Sequence, residues 1–214
     1  MSPLPEHMAN RWSSARDDTA PGNGTVYWHM LLGGDTEVRD LAALARARLS
    51  GFGGLHFTPD EWLHITTLVV GPRDKFSDSQ LAEMSKAAQE ALSGWDPRPI
   101  TFGRILYHPQ AIMLEVEPKD ALEPIRVVVQ RTTGSVVLSR EPVDWIPHVT
   151  IAYSTACQPA GPIVGALGMR LPSRTTTIRS VSLVVQWGPE RSWDWEVVST
   201  IRFGAALGRD VGIV

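Results

Sequence analysis

Leu63-His64-Ile65-Thr66-Thr67-Leu68-Val69-Val70 decides how this chain is read, because the second half holds a companion, Trp145-Ile146-Pro147-His148-Val149-Thr150-Ile151-Ala152-Tyr153. Both are apolar runs rich in β-branched residues, the composition of a half-buried strand. Each sets a histidine two residues before a threonine, and in a strand residues i and i+2 point to one face. His64 with Thr66, and His148 with Thr150, therefore offer an imidazole and a hydroxyl side by side. Strict alternation continues the first row through Leu68 and Val70 and the second through Ala152, which leaves Tyr153 facing away from His148. Two such pairs face to face would surround one anion with a base, an acid and two hydroxyl donors.

Working outward, Thr25–Leu32 reads as a first strand and Glu37–Leu49 as an amphipathic helix that Gly51-Phe52-Gly53-Gly54 ends. After the first motif strand, Ser77 and Gln80 have capping-box spacing and open a helix to Leu92. Pro99–Leu106 and Ala111–Val116 read as a strand pair around a turn at His108-Pro109-Gln110, followed by a helix near Ala121–Arg131. Beyond the second motif come a short helix at Pro162–Met169 and a hairpin, Thr175–Trp187 with Trp193–Phe203. The order of elements repeats roughly in the two halves, which argues for an α+β architecture with antiparallel sheets. Residues 1–23 are expected as a mobile tail, 24–205 as one bilobal domain and 206–214 as a C-terminal tail.

A His-x-Thr string alone says little, since His56-Phe57-Thr58 is a third match. Bracketed by Gly53-Gly54 and Pro59-Asp60, that one reads as loop and is set aside. The two others open otherwise apolar strand faces, where an unpaired polar group would cost about 1–3 kcal/mol. Trp28, Tyr107, Tyr153 and Trp187 are aromatic candidates for stacking on a base, and Arg73, Arg104 and Arg140 for binding a second phosphate. His29 reads as a core histidine and His108 as an exposed turn residue.

Composition limits the function classes. A net charge of −3 gives no electrostatic reason to bind bulk duplex DNA, while a small phosphorylated ligand stays compatible. Cys157 is the only cysteine, which excludes an intramolecular disulfide and a thiolate cluster, and neither motif histidine has a carboxylate at ligand spacing. No metal and no other cofactor is therefore expected. No Gly-x-Ser-x-Gly elbow, Walker A loop or dinucleotide fingerprint occurs. With no apolar run near the ~20 residues that span a bilayer and no signal-peptide pattern, a cytoplasmic, monomeric protein without membrane contact is expected.

The doubled His64-Ile65-Thr66 and His148-Val149-Thr150 signature resembles that of the two-histidine (2H) phosphoesterase superfamily, which includes 2′-5′ RNA ligase-like proteins and RNA cyclic phosphodiesterases. Thr67 departs from that pattern, standing where a hydrophobic residue is usual. The resemblance implies a bilobal, pseudo-twofold fold of two antiparallel sheets flanked by helices, with both motifs on central strands lining a cleft. It further implies His64 and His148 as catalytic acid and base, and Thr66 and Thr150 as donors to the phosphate oxygens. The expected reaction is opening of a 2′,3′-cyclic phosphate on a short RNA end or small nucleotide, with 2′-5′ joining as a side activity. Two alternatives are a nucleotide- or RNA-binding module that uses the same cleft without turnover, and an interaction domain in which the two histidines lie far apart.

Overall fold

Alternation of apolar and polar residues sorts the strands into two antiparallel sheets, with the helices packed on their outer faces. The computed structural model describes residues 4–13, 23–136 and 145–204. In chain order these form β1 (His7–Met8), β2 (Gly24–Leu31), α1 (Thr36–Arg48), β3 (Leu55–Phe57), β4 (His64–Pro72), α2 (Asp78–Leu92), β5 (Arg98–His108), β6 (Ala111–Glu115), α3 (Glu123–Gly134), β7 (His148–Ser154), β8 (Gln158–Pro159), α4 (Gly161–Leu167), β9 (Arg170–Ile178), β10 (Ser180–Trp187) and β11 (Trp195–Arg202). One sheet has the order β11-β10-β2-β4, the other β3-β7-β6-β5-β9, and β1 with β8 makes a two-stranded ribbon. This is the α+β, two-sheet architecture expected from the sequence. No helix among the described residues is long and apolar enough to cross a membrane.

Local chemistry fixes the helices. Ser77 and Gln80 form the capping box at the start of α2, a device worth about 0.5–2 kcal/mol. Asp35 caps α1 by accepting from the Val38 amide. The helices then bury their apolar faces: α1 packs on β9, α2 on α3 and β11, and α3 on β4. Trp28 is fully buried, and its indole donates to Thr133 Oγ1 at 3.0 Å, tying β2 to α3 without leaving a polar atom unpaired.

Four expectations need correction. Thr175–Trp187 is not one strand: β9 ends at Ile178 on the five-stranded sheet and β10 begins at Ser180 on the other, so the chain changes sheets at Arg179. Part of the expected mobile tail is packed, since Met8 is fully buried and His7–Met8 pairs with Gln158–Pro159. Residues 14–22, like the whole of the expected C-terminal tail, lie outside the described residues. His56 lies not in a loop but in β3, a three-residue strand at the edge of β7, where three ladder positions suffice. The resemblance implied central motif strands, yet β4 is an edge strand of its sheet while β7 has neighbours on both sides. Thr66 O on β4 accepts instead from Trp145 Nε1 at 3.0 Å, which links the motif strands across the two sheets.

Candidate active site

The two motifs converge. His64, Thr66, His148 and Thr150 all line one cavity of about 450 Å³ between the sheets. The interaction-domain alternative, which required the histidines to be far apart, is therefore overturned. Val69 and Tyr153 line the same cavity, although strict alternation sends both to the opposite face. A β-bulge in each strand explains this. The β2–β4 register passes from His29↔Thr66 to Trp28↔Leu68, so Thr67 is an extra residue. The β6–β7 register passes from Met113↔Thr150 to Ile112↔Ala152, so Ile151 is its counterpart. An extra residue reverses the facing of everything after it. The two rows therefore become His64, Thr66, Val69 and His148, Thr150, Tyr153, with identical spacing. The rows expected to run through Leu68, Val70 and Ala152 end at the bulges, and those three residues are buried away from the cavity.

Each imidazole is oriented in the same way. His64 Nδ1 lies 2.7 Å from Trp62 O, and His148 Nδ1 lies 2.7 Å from Ile146 O. A carbonyl only accepts, so Nδ1 carries the proton and Nε2 is left to face the ligand as base, or as acid when protonated. Their surroundings differ. His64 packs against His29 at 4.3 Å between ring centroids and edge-on to Trp195 at 4.6 Å. Burial lowers it to about 4, against opposing pulls from the Trp62 carbonyl and Glu190, while His148 adds to the lowering. His148 is lowered chiefly by burial, with His108 contributing. His29 is a core histidine as expected, 1% exposed and held well below its ordinary value by burial and then by His64.

Four polar lining residues escaped sequence reasoning: Arg11, Tyr27, Gln110 and Glu190. Arg11 donates to Glu190 Oε2 through Nε and Nη2, at 3.2 and 3.1 Å, and to Gln110 Oε1 at 3.3 Å. Tyr153 donates its hydroxyl to Glu190 Oε1 at 2.8 Å. Glu190 sits on the β10–β11 connection, where Trp193 adopts a left-handed backbone (φ 52°) and donates its indole N–H to His56 Nε2 at 3.2 Å. A non-glycine residue in that region needs support from its neighbours, here the stacked His56 ring. The position of Pro189 before Glu190 marks a turn but carries no hint of the cleft.

The remaining candidates separate cleanly. Trp28 is core, Tyr107 donates to Gly168 O, and Trp187 lines a different cavity together with Arg73. Arg104 pairs with Glu115 at 3.1 Å, next to the cleft but not in it, and Arg140 lies outside the described residues. His108 is exposed as expected and lines the cleft rim. Among the described residues no group of three His, Cys, Asp or Glu side chains could hold a metal ion.

Comparison with known proteins agrees with this geometry. The fold is similar to a Thermus thermophilus protein, TT0787 (16% identity, 85% of this chain and 98% of that one, TM-score 0.65). It is also similar to E. coli LigT in complex with NADP+ (12%, 85% and 99%, 0.62) and to the MHV ns2 PDE domain (14%, 77% and 97%, 0.55). No curated protein matches in sequence. The sequence profile of the 2′-5′ RNA ligase superfamily, however, matches residues 35–189, well over half of the chain and inclusive of both motifs. The chain belongs to the 2′-5′ RNA ligase superfamily, a group of phosphoesterases and RNA ligase-like proteins.

Proposed function

We propose that the chain is a metal-independent phosphoesterase that hydrolyses a cyclic phosphodiester, the 2′,3′-cyclic phosphate of an RNA end or of a small nucleotide. The observation that carries this reading is the pair of equal rows, His64-Thr66 and His148-Thr150, which line one cavity and are each followed by a matching bulge. With phosphorus between the rows, one neutral imidazole takes a proton from water as the water oxygen attacks. The other, protonated, gives a proton to the departing ribose oxygen as its P–O bond breaks. The product is a monoester. Thr66 and Thr150 donate to the non-bridging oxygens, whose charge grows toward the transition state. Burial shifts both imidazoles toward the neutral form, and the negative charge of a bound phosphate favours protonation of one of them. Joining of a 2′-5′ bond takes the same course with an RNA 5′-hydroxyl in place of water: its oxygen bonds to phosphorus as the bond to the 3′ oxygen breaks, and that oxygen takes up the proton. E. coli LigT has been crystallised with 3′-AMP, with ATP and with phosphate, ligands of the chemistry this cavity suits. One chain supplies both rows, so a monomer suffices and no cofactor is required.

The test is hydrolysis of 2′,3′-cyclic nucleotides by the wild type, His64→Ala and His148→Ala, with and without EDTA. Each substitution is expected to lower kcat by about 10²–10⁴-fold, the usual worth of general acid–base catalysis, with no effect of EDTA. Near-wild-type activity in either variant overturns the mechanism. Tight binding without product would favour the non-catalytic binding module instead.

A further inference from the structure

We propose that the cleft is blind at one end and takes the terminal nucleotide of a single RNA strand, whose upstream phosphates leave past His148 over Arg104, Lys119 and Arg170. This rests on the phosphoesterase reading above and adds a direction and a substrate size to it.

The blind end is built by Arg11. Its guanidinium bridges Gln110, on the turn between β5 and β6 of the five-stranded sheet, and Glu190, on the β10–β11 connection of the four-stranded sheet. It thus spans the cleft beside Tyr153, whose hydroxyl joins the same carboxylate. The backbone is fixed there as well, with Ala9 N donating to Pro109 O at 2.7 Å and Arg11 N to Ser154 O at 2.8 Å. Arg11 and Glu190 both lie outside residues 35–189, the span that the family profile matches.

The other end is charged. Register sets Leu106 opposite Met113, and both line the cleft. One step further along the same face, Glu115 stands opposite His148. Glu115 is fully buried and pairs with Arg104 at 3.1 Å and Lys119 at 3.0 Å. Arg104 in turn stands directly opposite Arg170 across β5 and β9, and Arg170 pairs with Glu117 at 3.0 Å. Like charges directly opposite are unfavourable in a sheet, so two facing arginines need a reason. Three cations share two carboxylates, and the side chains of Lys119 and Arg170 remain 61% and 59% exposed. The strip keeps a positive balance in a chain whose net charge is −3. In the other lobe the residue opposite His64 is the apolar Leu31. The cleft is therefore shut at Arg11 and basic beyond His148. A strand end fits that asymmetry, and a free mononucleotide would leave the basic strip unused.

The experiment compares two probes on the full chain, 2′,3′-cyclic AMP and a short RNA ending in a 2′,3′-cyclic phosphate. Their kcat/KM values are measured between 50 and 200 mM KCl, for the wild type and for the Lys119→Ala/Arg170→Ala double variant. Each phosphate contact to a single strand contributes about −0.7 to the log–log salt slope. Three contacts predict a loss of about 20-fold in the RNA value over that range, with the slope shrinking by about 1.4 in the double variant. The ratio of RNA to cyclic AMP turnover should fall in parallel. Turnover of both probes without a salt-dependent advantage for RNA, or with an advantage that the double variant retains, overturns this inference alone. Turnover of neither probe overturns the phosphoesterase reading and this inference with it.

Discussion

Thr66 and Thr67 are adjacent, chemically identical and predicted to respond in opposite ways to the same substitution. Thr66 is half-buried on the cavity wall, where its hydroxyl is available to a ligand. Thr67 is the bulge residue, 2% exposed, and its hydroxyl has no partner among the described residues. Exchange for valine keeps the shape and replaces the hydroxyl by a methyl in both cases. At Thr67 this removes a buried unpaired hydroxyl, whose desolvation costs about 1–3 kcal/mol. Thr67→Val should therefore gain about 1 kcal/mol, or roughly 2–4 °C in Tm for a chain of this size. The equivalent residue on β7 is Ile151, already apolar and fully buried, so that place in the fold has no need of a hydroxyl. At Thr66, on the proposed mechanism, the loss falls on the transition state. Removing one donor to a developing oxyanion costs about 10²–10³ in kcat, or about 2.7–4 kcal/mol, while stability should stay within about 0.5 kcal/mol. Denaturant unfolding and turnover of a 2′,3′-cyclic nucleotide, on both variants, read the two effects separately. If Thr66→Val kept wild-type kcat, or if Thr67→Val lost activity as Thr66→Val does, the assignment of faces by the bulge would be wrong.

Two further outcomes follow from the surroundings of the histidines. In the unfolded chain His29 and His64 take up protons near ~6.5, whereas in the folded chain they do so only at lower pH, His64 at about 4. The unfolded state thus binds more protons between these values, so stability should fall as pH drops from about 6.5 toward 4. Denaturation midpoints at neutral pH and near pH 4.5 should show a smaller drop in His29→Phe than in the wild type, and an equal drop would refute the argument. Trp145→Phe keeps a ring beneath the Arg126 guanidinium (5.5 Å from it in the wild type) but removes the donor to Thr66 O. It should cost about 1 kcal/mol by unfolding and lower kcat by shifting Thr66, and an unchanged Tm would show that the link is idle.

The fold was legible where periodicity and local chemistry agreed. The capping box of α2 and the two motif strands are read straight from residue type and spacing. The facing of His64 with Thr66, and of His148 with Thr150, needed only the two-residue repeat. Everything past Thr66 and Thr150 was read on the wrong face, because a bulge has no signature of its own in an apolar run. Thr67, the one departure from the family pattern, lies at a bulge, but its counterpart Ile151 fits the pattern, so neither residue type marks the feature. Strict alternation turns Tyr153 away from His148, yet it lines the cavity. The change of sheets at Arg179 was equally silent, since a strand that ends on one sheet and restarts on another keeps its β-forming composition throughout.

Arg11 and Glu190 were invisible for a different reason: neither belongs to a pattern. Arg11 lies in a stretch whose composition argues for a tail, and only tertiary contacts with Gln110 and Glu190 give it a place. The division is a physical one. The groups proposed for the chemistry sit on paired strands, where the register holds an imidazole and a hydroxyl in fixed relation, and that geometry leaves its mark on the sequence as spacing. The groups that close the Arg11 end of the cleft sit on a terminal segment and two turns, elements that accept change without disturbing the core. A partly exposed pair such as Arg11–Glu190, 36% and 28% accessible, contributes about 1 kcal/mol or less to stability. Its place across the cleft is therefore better explained by what it excludes than by what it holds together. Two chains with the same motif rows could thus accept different ligands, and the reaction is more readable from sequence than the substrate.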